Sequence, residues 1–151
     1  MRDQFVGDGI RLDNAIAFWV HRVYQAQRNA MYRAFREKGI ELTPEQWGVL
    51  VRLWERDGRS QSELSESTFR DKPTMSRMID ALESSGLVER RSTHGDARTK
   101  LVFLTEAARA LKPKLVPVAK RLVGQMTNDI SERDLDVTRA TLQKIFSNLD
   151  T

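Results

Sequence analysis

A chain of 151 residues, 40% hydrophobic and 30% charged, has the size and composition of one globular domain able to bury its own core. Its 25 Lys and Arg against 21 Asp and Glu leave a net charge of +4, so where the cations lie matters more than their number. The absence of cysteine excludes disulfides, thiolate metal sites and thiol-based peroxide sensing, and two unclustered histidines, His21 and His94, exclude a histidine-rich metal site within one subunit.

No glycine-rich phosphate loop and no nucleophile paired with a base is visible, so neither an enzyme nor a bound cofactor is expected. No apolar run is long enough to span a bilayer, and the start MRDQFVGDG lacks a signal-peptide core. A cytoplasmic protein without membrane contact is expected.

In chain order, Leu12, Ile16, Trp19, Val23, Ala26, Ala30 and Ala34 recur at helical spacing and predict a long first helix ending at Gly39. His21, Arg22, Arg28, Arg33 and Arg36 occupy its other faces. A second helix should start at Thr43, with Pro44 in its first turn and Gln46 closing a capping box. Trp47, Leu50, Val51 and Trp54 form its expected buried side, and Asp57 and Gly58 its stop.

Ser60 to Glu63 is another capping box, opening a short helix around Leu64, with Ser67 to Arg70 as the expected turn. Asp71 then caps a helix with the apolar stripe Met75, Met78, Ile79 and Leu82, and Gly86 supplies a left-handed stop. Leu87 to Arg91 and Arg98 to Leu104 read as strands joined by Ser92 to Ala97. Thr105 caps a fifth helix holding Pro113 and Pro117, the second being the expected kink. Ser131 starts the last helix, with Leu135, Leu142, Ile145, Phe146 and Leu149 on its apolar side.

The pattern is mostly α with a small β-hairpin wing, a winged helix-turn-helix plus a helical dimerisation region. Residues 1–151 are read as one domain. Residues 39–105 form its winged helix, and residues 10–38 and 106–149 the helical part. The long terminal stripes have no sheet to cover them, which favours a homodimer over an intramolecular bundle.

On the helix after Asp71, Pro73, Ser76, Arg77 and Asp80 lie opposite the apolar stripe, while Lys72 and Thr74 stand at its start, where backbone N–H groups attract phosphate. Arg77 has the fork to grip guanine or clamp a phosphate. The hairpin places Arg90, Arg91, Arg98 and Lys100 within eleven residues against the single acid Asp96. Arginine on a narrow projecting turn suits the minor groove. Asp96, two residues before Arg98, either holds that guanidinium in position or makes a simple hairpin ion pair.

The run LESSGLVERR followed by GDARTKLVFLT, with SQSEL and TMSRMIDALE before it, resembles the MarR family of bacterial transcription regulators. The resemblance covers nearly the whole chain. It implies a homodimer with interlocked terminal helices whose two winged helices bind a pseudo-palindromic duplex DNA operator. Major-groove reading then falls on Lys72, Pro73, Thr74, Ser76 and Arg77. Wing contacts fall on Arg90, His94, Arg98 and Lys100, with Asp96 orienting Arg98. Ala108 stands where relatives often have glycine, and His94-Gly95 is a less typical wing tip.

The resemblance further implies a repressor released by a small aromatic or anionic effector bound between the dimer helices and the winged helix. Trp19, His21, Tyr24 and Trp47 are the candidates to line that crevice, although Trp47 and Trp54 also read as plain core. The alternative is a winged-helix module that binds another protein. The basic set Lys72, Arg77, Arg98 and Lys100 argues against it.

Overall fold

A computed structural model describes residues 5–6, 9–68, 71–93 and 95–150, with the side chains of residues 5, 6, 10, 96 and 97 outside that description. Two short strands, β1 (Phe5–Val6) and β2 (Gly9–Ile10), pair antiparallel ahead of α1 (Ile16–Glu37). Then follow α2 (Pro44–Glu55), β3 (Arg59–Ser60), α3 (Gln61–Thr68), α4 (Lys72–Ser84), β4 (Val88–Thr93), β5 (Asp96–Leu104), α5 (Glu106–Met126) and α6 (Glu132–Leu149). The three strands after α2 form one antiparallel sheet in the order β3-β5-β4.

The helix starts follow the capping chemistry of the sequence. At α2, Thr43 Oγ1 accepts from the Gln46 N–H at 3.1 Å while the Thr43 N–H donates to Gln46 Oε1 at 3.0 Å. Ser60, Asp71 and Ser131 likewise accept from the backbone N–H three residues on. The expected turn after α3 differs. Ser67 and Thr68 stay helical, their hydroxyls donating to the Leu64 carbonyl, and Phe69 and Arg70 lie outside the described residues.

The buried face of α2 is aliphatic: Val49, Leu50 and Leu53 are the residues fully enclosed, and Trp47, Val51 and Trp54 are half-buried. The reason lies in the indoles. A buried indole N–H needs an acceptor, and Trp54 finds one at the rim, donating to the Ala108 carbonyl at 3.3 Å. Leu64, Met75, Ile79, Leu82 and Val102 close the core from α3, α4 and the sheet.

The strand β3 has only two residues and no alternating pattern, so nothing in the sequence announces it. Gly58 makes it possible, with φ +70° and a position where a Cβ would stand 2.8 Å from the Phe103 ring. Asp57 locks the same corner: Oδ1 accepts from the N–H groups of Gly58 and Leu104, and Oδ2 from Arg109. The wing strands run further than expected, β4 to Thr93 and β5 from Asp96, so the connecting turn is tighter. Gly95, at φ +82°, takes the left-handed position in it.

The chain divides into two compact units, Met1–Val118 and Ala119–Thr151. Pro113 and Pro117 both lie inside the continuous α5, and the division falls beside Pro117. In the first unit, α1 buries Met31, Ala34 and Phe35, whereas Ile16, Trp19 and Val23 of its apolar stripe are about half exposed. In the second, no residue from 119 to 150 is buried, and Leu142, Phe146 and Leu149 are exposed.

Candidate nucleic-acid interface

Lys72, Pro73 and Arg77 stand exposed on α4, and Thr74 and Ser76 are half-buried beside them. The helix start is less open to phosphate than its sequence suggests. Asp71 Oδ1 accepts from the Thr74 N–H at 2.8 Å and Oδ2 from the Thr74 hydroxyl at 2.7 Å. Those two bonds hold the Asp71 carboxyl below its ordinary range and use the donors that Thr74 would offer a ligand.

Between this helix pair and the wing lies a polar cleft of about 750 Å³. The start of α3 contributes Ser60, Gln61 and Ser62, α4 contributes Ser76, Asp80 and Glu83, and the wing contributes Arg90, Arg98, Thr99 and Lys100. Arg98 and Lys100 are exposed. His94 lies outside the described residues. Asp96 is placed only through its backbone, as the first residue of β5 paired with Thr93.

Arg90 sits at the base of the wing, its side chain only 15% exposed. Its guanidinium donates to Gln61 Oε1 at 2.8 Å and to the Ser76 carbonyl at 3.3 Å, and pairs with Asp80 at 2.7 Å and Glu83 at 3.1 Å. Its backbone N–H donates to the other Glu83 oxygen at 3.0 Å. Arg91, one step along the strand, points to the opposite face, where it pairs with Glu89 and lies 4.6 Å from the Phe103 ring centroid. Gln61, Asp80 and Glu83 were not singled out as partners of Arg90 from the sequence. A signal existed, since Asp80 and Glu83 share a face of α4 at i, i+3 and the chain returns past them after Gly86.

A second cavity, of about 250 Å³, lies between α1 and α2 and is lined by Tyr24, Gln27, Arg28, Met31, Pro44, Glu45 and Trp47. Of the four residues expected around an effector, Tyr24 and Trp47 line it. Trp19 and His21 are exposed elsewhere on α1, with the Trp19 indole donating to the Asp13 carbonyl at 2.6 Å. Trp47 is also core, its ring 5.3 Å from Phe35 and 5.3 Å from Trp54.

At the cavity wall the Glu45 carboxylate accepts from the Tyr24 hydroxyl at 2.7 Å and pairs with Arg28. Burial alone pushes this carboxyl up, but hydrogen bonds from Tyr24, Arg28 and backbone, with the Arg28 charge, outweigh it and bring the pKa down to about 2. The unfolded chain therefore takes up this proton first as pH falls. The contribution of Glu45 to stability is full above about pH 4.5 and disappears toward pH 2. Glu45→Gln should lower stability at neutral pH and flatten its decline across that window, as read by denaturant unfolding at stepped pH. An unchanged acid profile would show that the Glu45 contacts with Tyr24 and Arg28 do not contribute to stability.

A helix pair α3–α4 followed by a β-hairpin wing, with the basic residues Arg90, Arg98 and Lys100 of the wing lining a cleft beside α4, defines a protein of the winged-helix regulator class. Comparison with known proteins agrees. The profile of the MarR family matches residues 42–100. The chain is 36% identical over 141 residues to the HTH-type transcriptional regulator TtmR of Methylorubrum extorquens, covering 92% of this chain and 68% of that one. A probable transcriptional regulator from Pseudomonas aeruginosa shares the fold with a TM-score of 0.80 at 29% identity, over 89% of this chain and 99% of its own. So does CouR of Rhodococcus jostii, solved with p-coumaroyl-CoA, at a TM-score of 0.75 and 26% identity over 89% and 94% of the two chains. The repressor CouR on a 23-mer DNA duplex gives 0.77 and 25% over the same shares. The chain belongs to the MarR family and is a transcriptional regulator, not an enzyme.

Proposed function

We propose that this chain acts as a homodimeric, cytoplasmic repressor that binds a specific DNA duplex and leaves it when a small aromatic or anionic effector binds. The observation that carries the DNA-binding part is the cleft between α4 and the wing, lined on the wing side by Arg98 and Lys100, with Lys72 and Arg77 exposed on the same helix α4. The relative CouR, solved on a DNA duplex and with p-coumaroyl-CoA, supports both the operator and an effector. The exposed Ile16, Trp19, Val23, Leu142 and Phe146 support a second copy as the cover for the terminal helices. Among the described residues no helix is long and apolar enough to cross a membrane.

Selection from a pool of random duplexes should enrich one pseudo-palindromic sequence, and affinity for it should fall steeply with salt as Lys and Arg release counterions. Arg77→Ala should relax base preference as well as weaken binding, whereas Lys72→Ala should weaken all duplexes alike. Equal binding to every duplex, or insensitivity to salt, would refute operator recognition. Sedimentation should show a dimer at micromolar concentration, and a monomer there would refute the shared helical frame.

A further inference from the structure

Asp80 and Glu83 pose a problem for a surface that receives DNA. Both lie on α4 and line the cleft, with side chains 62% and 43% exposed. Two carboxylates there repel a phosphate backbone entering between α4 and the wing. Arg90 meets both of them: its guanidinium donates hydrogen bonds to Gln61, Glu83 and the Ser76 carbonyl and forms an ion pair with Asp80. With one arginine charge shared between two carboxylates and its donors already engaged, Arg90 has little left to give a phosphate.

We propose that Arg90 is a charge-offsetting residue, not a DNA contact: it neutralises part of the negative charge of Asp80 and Glu83 beside the cleft. This rests on the DNA-binding reading above. Glu83 accepts from both the guanidinium and the backbone N–H of Arg90, which holds the charge pair in place where β4 leaves the end of α4. Gln61 adds the start of α3 to the same joint. Lysine at position 90 keeps the charge but lacks the planar fork that reaches Gln61, Glu83 and the Ser76 carbonyl together.

The roles of contact and neutraliser differ in their response to removing the acids. The test uses the full-length protein and a duplex selected by the native protein, with affinity measured by fluorescence anisotropy over a salt series. Arg90→Gln should weaken binding about tenfold or more, because two carboxylates are unmasked toward phosphate. Adding Asp80→Asn and Glu83→Gln to it should restore affinity to within about threefold, with the native slope against salt, since no phosphate contact was lost. If the triple variant stays as weak as Arg90→Gln and its slope falls by about one ion, Arg90 contacts phosphate and the proposal fails.

Asp80→Asn with Glu83→Gln, keeping Arg90, gives an independent reading should Arg90→Gln fail to fold. It should bind several-fold more tightly than the native protein. Unchanged or weaker binding by this folded double variant overturns the proposal. A native protein that enriches no duplex at all refutes DNA binding itself, a different failure from absent rescue.

Discussion

Phe35→Ala should be among the most destabilising single substitutions in the chain, costing about 3–5 kcal/mol, the range for deleting a buried aromatic ring without collapse of the cavity. Phe35 is 0% exposed and lies at the end of α1 that enters the core, beside Met31 and Ala34. Its ring packs on Trp47, Trp47 on Trp54, and Trp54 donates to the Ala108 carbonyl of α5. This aromatic ladder joins α1 to α2 and then to α5, so losing its first ring loosens both joints. Against a typical stability of about 5–15 kcal/mol, such a loss leaves a marginal fold. Denaturant unfolding at fixed protein concentration should show a large fall in midpoint. Phe35→Leu, which refills most of the space, should recover more than half of it. A loss below about 1 kcal/mol for the alanine variant would mean that the ladder is not the joint.

Local chemistry made much of this fold legible. Thr43, Ser60, Asp71 and Ser131 each accept from the backbone three residues on, because a cap needs only a side chain and its own next turn. The stripe Met75, Ile79, Leu82 faces the core for the same reason: helical spacing is intrinsic to the segment. Features decided by distant partners were less legible. The rim position of Trp47 and Trp54 depends on Phe35 and Ala108, and the two residues of β3 become a strand only through pairing with Leu101 and Val102.

The candidate site divides along the same line. The exposure of Lys72, Arg77, Arg98 and Lys100 could be read from their sequence because it asks only for the right face of a helix or strand. Arg90 was grouped with them by its charge. Its partners Gln61, Ser76, Asp80 and Glu83 come from α3 and α4, and no count of cations in the hairpin shows that its charge is already engaged by two carboxylates. Arg90 and Arg91 are adjacent in sequence yet face opposite sides of the sheet, so a basic hairpin is not one uniform basic surface.

Arg98 is where the largest loss of DNA affinity is expected. It stands exposed near the start of β5, beyond the tight turn at Gly95, and lines the cleft with Thr99 and Lys100. From there a long planar guanidinium can enter a minor groove, as the proposed operator-binding role requires. Arg98→Ala should cost about 1–3 kcal/mol of specific binding, the range for one good base-level contact, measured on the selected duplex at constant salt. Arg98→Lys should recover only part of this, since the charge returns without the fork of donors. Asp96→Ala supplies the decisive sign. If the wing meets DNA as proposed, removing an acid from it should tighten binding on charge alone, whereas loss of a group that orients Arg98 should weaken it. We expect weaker binding, with a circular dichroism spectrum and dimer mass unchanged. Tighter binding by a folded Asp96→Ala dimer would show that Asp96 does not position Arg98, and the minor-groove role of the wing would have to be given up.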